Sequence, residues 1–551
     1  MLPSCVSDVH RTTLAELLTQ CQDGVLARRL EQFGLEPTRA ASFAAAANRL
    51  VGAGVAPSTR VAAFWVPGRV EVMGKHTDYC AGRSLLCAVN RGFAVVSADR
   101  DDSQLRILAT FELSGAIDEA TLPLAAAATG EQALPDGWAM YPAVTARRLA
   151  RNFGLSLGVD LALSCDLPEA SGMSSSSAVI ILTFLALAAR NELAARPEFR
   201  ERLPTAEDLC HYLGCIENGQ SCGPGLPGDA GVGTFGGSED HTAILLCQPG
   251  ELAQYSFCPT RLEAVVPFPR SMTMLLAVSG ATAQKGAERL RDYNDAAMLA
   301  RWAASAAAAE SARASGRDAA SAAAAASVTS EAGAEAACSP PKKAAKMAQG
   351  AVAAAGAVAA KVDGRTPPTA KDASSPPTLA AVVAAEADRL GATPLDARVV
   401  RELSRRIGSL DDGAFAPGIA LPAGALVRRF RQFYEESELL VPWVCEAMRR
   451  GDAGALGALV DRSHELTESH LRNTVEETEW LPRSARRLGA SAASAFGAGF
   501  GGSVWAMVDA DKANELLEAW EADYTQRFPE RKGHARFFAM RTPAPGARCV
   551  S

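Results

Sequence analysis

Chemistry-bearing residues cluster in three stretches of this chain. In the stretch Asp166-Leu167-Pro168-Glu169-Ala170-Ser171-Gly172-Met173-Ser174-Ser175-Ser176-Ser177, small and hydroxylated residues run straight into the apolar segment Ala178 to Ala189. Small residues opening a helix leave backbone N–H groups unpaired and set the positive helix end beside serine hydroxyls, which suits a nucleotide polyphosphate. The pattern is not GxxxxGK[ST], so it is no P-loop, and a plain serine-capped helix is the alternative. The stretch Val66-Pro67-Gly68-Arg69-Val70-Glu71-Val72-Met73-Gly74-Lys75-His76-Thr77-Asp78-Tyr79-Cys80-Ala81-Gly82 sets Lys75, His76, Thr77 and Asp78 between a strand and the next apolar run. A loop there could present them to a polyhydroxylated ligand, Asp78 accepting two hydroxyls, or be only a charged surface turn. The third stretch, Phe496-Gly497-Ala498-Gly499-Phe500-Gly501-Gly502-Ser503, is a glycine loop leading into a strand; its glycines permit positive φ and close backbone approach to a ligand or a helix.

The elements that must hold these stretches follow from periodicity. Residues 12–50 read as helix, with Leu14, Leu17, Leu18, Leu30 and Phe33 at helical spacing around breaks at Gly24 and Gly34. From Arg60 the pattern changes to short apolar runs, 61–66, 84–89 and 93–98, divided by Gly and Pro and read as strands of a mixed α/β or α+β domain. The segment from Ala303 to about Ser375 is low complexity, with alanine runs lacking large apolar packing residues and then Pro-Pro and Ser-Pro tracts. It reads as an insertion interrupting one domain and carrying no chemistry. Amphipathic helices resume after Leu379, and 503–508 reads as a late strand.

A length of 551 residues supports two to four domains. The net charge of −7 gives no basic footprint for nucleic acid. The aromatic share of only 6% shows that alanine supplies much of the apolar count. No segment approaches the roughly 20 apolar residues of a membrane span, and the N-terminus lacks a basic-then-apolar leader, so a cytoplasmic setting is expected. Thirteen scattered cysteines without a CxxC pair suggest reduced thiols. Cys210, His211, Cys215 and Cys222 have no zinc-type spacing and are expected to be ordinary thiols and an ordinary histidine.

Taken together, the three stretches resemble the signature motifs of the GHMP small-molecule kinases, and the second of them looks like the galactokinase branch. The family's PGRVNLIGEHTDYNxG-like, GLSSSA-like and GGGFGGS-like patterns stand here as PGRVEVMGKHTDYCAG, GMSSSSA and GAGFGGS, with weaker echoes at Trp138-Ala139-Met140-Tyr141, Asp240 and Ser463-His464. The resemblance implies an α+β fold of two lobes, about 1–265 and 266–551. The first would be ribosomal S5 domain 2-like, and the second ferredoxin-like with the insertion at about 303–378. It implies transfer of the ATP γ-phosphoryl to the anomeric hydroxyl of a sugar, with ATP, Mg²⁺ and the sugar as the only partners and the oligomeric state open.

By that resemblance Asp240 in Gly237-Ser238-Glu239-Asp240-His241 is the base, with Glu239 as the competing assignment, and Arg69 keeps it ionised and stabilises developing charge. Gly172, Ser174, Ser175, Ser176 and Ser177 would cradle phosphates, and Trp138 would line the adenine pocket. Ser176, or Ser175 if the extra serine shifts the register, and Glu217 would hold Mg²⁺. His76, Asp78, Gly237 and Tyr293 would face the sugar. Lys75 departs from the family's glutamate at a sugar-contacting position. Its ammonium either attracts a substrate carboxylate, as in a hexuronic acid, or pairs with Glu71 or Asp78 and faces away. Galactose or a relative, a uronic acid, and another aldose such as arabinose therefore stand as candidate substrates, with a non-catalytic sugar and nucleotide sensor, or a scaffold built on the insertion, as different classes of function.

Overall fold

The computed structural model describes residues 1–124, 133–169, 171–281, 287–314, 377–409 and 421–551. Its first sheet contains β1 (Thr12–Thr13), β2 (Arg60–Met73), β3 (Arg83–Asp99), β4 (Gln104–Phe111), β5 (Ile117–Pro123), β6 (Val159–Cys165), β7 (Glu251–Ser256) and β8 (Arg261–Pro267). The strands run β1-β2-β3-β6-β4-β5, with β7 beside the start of β3 and β8 on β7. The runs 84–89 and 93–98 are one strand, because β3 passes through Gly92, where a Cβ would lie 2.4 Å from the Val66 carbonyl oxygen. Strand β2 likewise runs on through Pro67 to Met73, with register shifts between Pro67 and Arg69 and between Glu71 and Met73.

Alternation along β2 serves two cores. Ala62, Phe64, Val66, Val70 and Val72 face one side, whereas Val61, Ala63 and Trp65 face the other. The second side is covered by the N-terminal helices, including Leu14, Leu17, Leu30 and Phe43, with breaks at Gly24 and Gly34 in left-handed conformation. The first side is covered by α1 (Met140–Phe153), α2 (Ser175–Arg190), α3 (Ala206–Asn218) and α4 (Glu239–Leu246). Helix α2 is apolar all round because it is enclosed between sheet and helices. Among the described residues no helix is long and apolar enough to cross a membrane.

The second sheet, β9 (Met272–Val278), β10 (Ala492–Phe496), β11 (Ser503–Asp509) and β12 (Arg536–Met540), is antiparallel in the order β10-β11-β9-β12. One face packs Leu275, Ala277, Val504 and Ala506 on helices that supply Leu481 and Trp520; the other sends Met274, Leu276 and Trp505 into the main core. The last strand, β13 (Arg548–Cys549), returns to pair with β2.

A separate helical cluster is formed by α5 (Ala287–Ala314), α6 (Leu379–Leu390), α7 (Ala397–Gly408) and α8 (Ala425–Phe433). Here the expected start of the insertion is corrected. Ala303, Ala304 and Ala307 are buried on α5 against Leu379, Val383, Leu403 and Phe430. Alanines need no bulk of their own when neighbouring helices bring leucine and phenylalanine into contact with them. Residues 315–376, the rest of the expected insertion, lie outside the described residues.

Candidate active site

Strand β2 delivers Arg69 and Glu71, and then turns at Gly74 (φ +106°), where a Cβ would fall 2.5 Å from the Ser84 Cα. Only glycine allows that turn into the loop bearing His76 and Asp78. Arg69 is buried; its Nε donates to Asp240 Oδ1 at 2.7 Å and its Nη1 to the Gly172 carbonyl at 2.5 Å. Burial pushes the Asp240 carboxyl up, but the Arg69 charge and the Ser174 hydroxyl more than offset this and hold it below the ordinary aspartate range. Its neighbour Glu239 accepts from Ser84 Oγ at 2.6 Å, and burial, with Glu71 and Asp78 close by, pushes it well above the usual range. Of the two adjacent acids, Asp240 is the one kept ionised.

Around this pair lies a cavity of about 190 Å³. One wall carries His76, Asp78, Gly237 and Tyr293. Asp78 accepts from the Tyr79 N–H at 2.8 Å and the Glu239 N–H at 3.3 Å, yet burial pushes it up to about 6. A Cβ on Gly237 would lie 2.4 Å from Asp78 Oδ2. His76 Nδ1 is 2.7 Å from the Tyr79 hydroxyl and its Nε2 is 3.3 Å from the Ala498 carbonyl oxygen. Burial and the Arg429 charge push the ring down to about 4, so it is neutral at pH 7. The His76 and Tyr293 ring centroids are 5.4 Å apart.

The cavity is also lined by Gly172, Ser174, Ser175, Ser176 and Ser177 at the start of α2, and by the glycine loop 497–502. Gly497 (φ +85°) would place a Cβ 2.8 Å from the Gly172 carbonyl oxygen, and Ser503 Oγ donates to the Ser171 carbonyl at 2.6 Å. The two loops are thus seated on one another, with the first-turn N–H groups of α2 beside the cavity. Ser177 Oγ donates to Glu217 Oε2 at 2.7 Å and lies 3.4 Å from Asp240 Oδ2. Ser177 is the third residue of α2, which begins at Ser175, and its side chain turns inward toward α3. Ser176 and Glu217 also line the cavity. Hydroxyl and carboxylate oxygens are the donor set a hard divalent cation takes.

Two expected residues lie elsewhere. Lys75 is buried and does not line the cavity; its Nζ donates to Ser463 Oγ at 2.9 Å, and Ser463 in turn donates to Glu436 Oε1 at 3.0 Å. The turn at Gly74 aims this side chain toward the later helices, not into the cavity. Trp138 sits on the 3₁₀ turn 137–139 with its Nε1–H on Asp118, also outside the cavity lining.

The His76 loop is held by residues that no motif marked. Arg429 Nη2 donates to the His76 carbonyl at 2.5 Å, Gln432 Nε2 to the Lys75 carbonyl at 2.9 Å, and Glu436 accepts from the Gly74 N–H at 2.8 Å. Arg429 and Gln432 lie on α8 at i and i+3 among apolar residues, a polar interruption of a buried face that was their one visible signal. Glu436 comes from a π-helical stretch, Tyr434–Leu440, that follows α8.

Family models match three parts of the chain: a galactokinase galactose-binding signature over residues 55–98, the GHMP kinases N terminal domain over 140–237, and GHMP kinases C terminal over 445–526. Over these three segments the chain is similar to the GHMP kinases. The Bacillus subtilis (strain 168) galactokinase is 31% identical over 120 residues, 22% of this chain and 30% of that protein. A galactokinase from Actinobacillus pleuropneumoniae serotype 5b is 34% identical over 125 residues, 21% of this chain and 29% of its own length. Identity with these curated relatives thus spans about a third of their length or less. In structure, Lactococcus lactis galactokinase, solved with galactose, superposes with a TM-score of 0.55 at 18% identity, over 89% of this chain and 95% of that one. The α+β architecture is accordingly the GHMP kinase fold.

Proposed function

We propose that this protein phosphorylates the anomeric hydroxyl of galactose with ATP, giving galactose 1-phosphate and ADP. The observation that carries the reading is the Arg69–Asp240 pair in a cavity lined by both the His76–Asp78 loop and the start of α2. Asp240, held ionised, accepts the hydroxyl proton as the sugar oxygen attacks, and positioning with charge stabilisation does the rest. Arg69 sits where it both steadies that carboxylate and meets developing phosphoryl charge. The N–H groups opening α2 and the glycine loop cradle the phosphates. Ser176, Ser177 and Glu217 are the groups to hold Mg²⁺, which when bound neutralises phosphate charge. His76, Asp78, Gly237 and Tyr293 orient the sugar.

Lys75, turned onto Ser463, offers no clamp for a uronate carboxylate, which favours a neutral sugar. The unpaired state of every cysteine among the described residues supports a cytoplasmic setting. We take residues 1–265 and 266–551 as its two lobes, a division supported by the two sheets, although β13 crosses back to the first. The test is an ATP-consumption assay with Mg²⁺ across galactose, arabinose, glucose, galacturonate and glucuronate, with the phosphorylated carbon located by NMR. The expected result is galactose with the highest kcat/KM and phosphate on C1. A uronate preference would overturn the substrate, and sugar binding without turnover would overturn the enzyme reading in favour of a sensor.

A further inference from the structure

Helix α3, which carries Glu217, presents His211 and Cys215 at i and i+4, so the two stack on one face. Just past its C-terminus the chain turns at Gly219 (φ +79°), where a Cβ would lie 2.6 Å from the Asp229 carbonyl oxygen, and Cys222 is brought back over that face. His211 Nε2 and Cys215 Sγ are 3.7 Å apart, and one ligand atom from each of His211, Cys215 and Cys222 lies within 4.8 Å of the others. Cys210, beside them in sequence, points into the core, with its sulfur 3.8 Å from the His241 carbonyl oxygen. The backbone around the triangle is fixed: Cys222 N–H donates to the Leu226 carbonyl at 2.9 Å, and the buried Arg148 donates to the Gln220 carbonyl.

A tetrahedral cation bound at about 2.3 Å to sulfur and about 2.0 Å to nitrogen sets its ligand atoms roughly 3.5–3.8 Å apart. His211 and Cys215 already stand at that spacing, and the full triangle closes to it by side-chain rotation of about an ångström. We infer that His211, Cys215 and Cys222 form a thiophilic metal site for a Zn²⁺-class cation, bound by one imidazole and two thiolates with water as the fourth ligand. Binding moves the two thiol protons to solvent, so no oxidant or reductant is needed. Cys215 is buried whereas His211 and Cys222 are half-buried, so the ion enters from the side of the loop.

The site is separate from the Ser177–Glu217 group, whose oxygen donors suit a hard cation. Its effect is structural. It ties the end of α3 to the loop 219–236, whose Val232 N–H already donates to the Glu217 carbonyl at 2.8 Å, and that loop leads directly to Gly237 and Asp240.

The experiment uses the full chain, reduced and stripped of metal, titrated with Co²⁺ as a spectroscopic probe and then with Zn²⁺ in competition, while melting is followed in parallel. One equivalent of Co²⁺ should give a thiolate-to-cobalt charge-transfer band that Zn²⁺ abolishes, and Zn²⁺ should raise the melting temperature. Cys222→Ser and His211→Ala, which change half-buried residues, should each lose the band and the Zn²⁺-induced shift, whereas Cys258→Ser, at an exposed cysteine, should keep both. No band at stoichiometric metal overturns the inference, as does a band that survives both Cys222→Ser and His211→Ala. Because the readouts are spectroscopic and thermal, they stand or fall independently of the kinase reading.

Discussion

Replacing Lys75 by methionine separates a structural lysine from a substrate clamp. The ammonium lies 2.9 Å from Ser463 Oγ, which bridges it to Glu436 Oε1 at 3.0 Å. Glu436 is wholly buried; the same oxygen accepts the Gly74 N–H, and Oε2 has no hydrogen-bond partner. Removing the cation leaves that carboxylate with neutral donors only. Loss of one partner of a buried ion pair costs about 3–5 kcal/mol, and the intervening hydroxyl brings the expectation here to roughly 2–3 kcal/mol. Methionine preserves the stem volume, so no cavity adds to this. Melting should fall by about 2–5 °C, the lower end if the whole chain unfolds as one unit and the upper if one lobe does. Below the melt, kcat/KM for galactose should stay within about threefold of the parent, under 1 kcal/mol of transition-state binding. The assays are thermal denaturation followed by circular dichroism, and steady-state kinetics with galactose and galacturonate. An unchanged melting temperature with a greater than about tenfold loss of sugar efficiency would refute the reasoning and return Lys75 to the substrate.

Asp240→Asn should lower kcat by about 10²–10⁴, the usual range for a positioned base, with the fold retained by circular dichroism; near-parental turnover would remove the base assignment. Asp78, pushed up to about 6, should impose an acid limb near that pH on kcat/KM for the sugar, because only its ionised form accepts two hydroxyls, and Asp78→Asn should abolish the limb. The linked stability runs the other way: the raised pKa favours the folded state fully below the unfolded value near 4 and the gain is lost as pH rises through 6, so Asp78→Asn should gain stability relative to the parent at pH 8 compared with pH 4. Gly237→Ala places a methyl 2.4 Å from Asp78 Oδ2 and should raise the sugar KM by about tenfold or more while leaving the ATP KM nearly unchanged, as separate substrate titrations would show. Deleting 315–376 behind a short linker should leave melting and activity intact, whereas extending the deletion back to 303 strips Ala303, Ala304 and Ala307 from their cluster and should lower both.

Local chemistry and periodicity were open to reading from the residues alone. Apolar runs at 61–66, 84–89 and 93–98 announced strands, and the serine and glycine stretches announced backbone that approaches a ligand closely. Arg69, His76, Asp78, Gly237 and Asp240 were named through resemblance to the family's motifs, and the structure brings all five to one cavity. What neighbours in sequence cannot determine is the direction of a side chain leaving a tight turn. Lys75 could face the sugar or turn away until the partner at Ser463, 388 residues along the chain, was brought against it. The inward serine, Ser177, depended on where α2 begins, and the burial of Ala303 and Ala307 on leucines and phenylalanines arriving from α6 to α8. His211, Cys215 and Cys222 had no recognisable spacing because a helix face supplies two of them and a glycine turn returns the third. Sequence sets what each residue can do; tertiary packing decides which groups meet, because the meeting is settled by contacts among elements far apart along the chain.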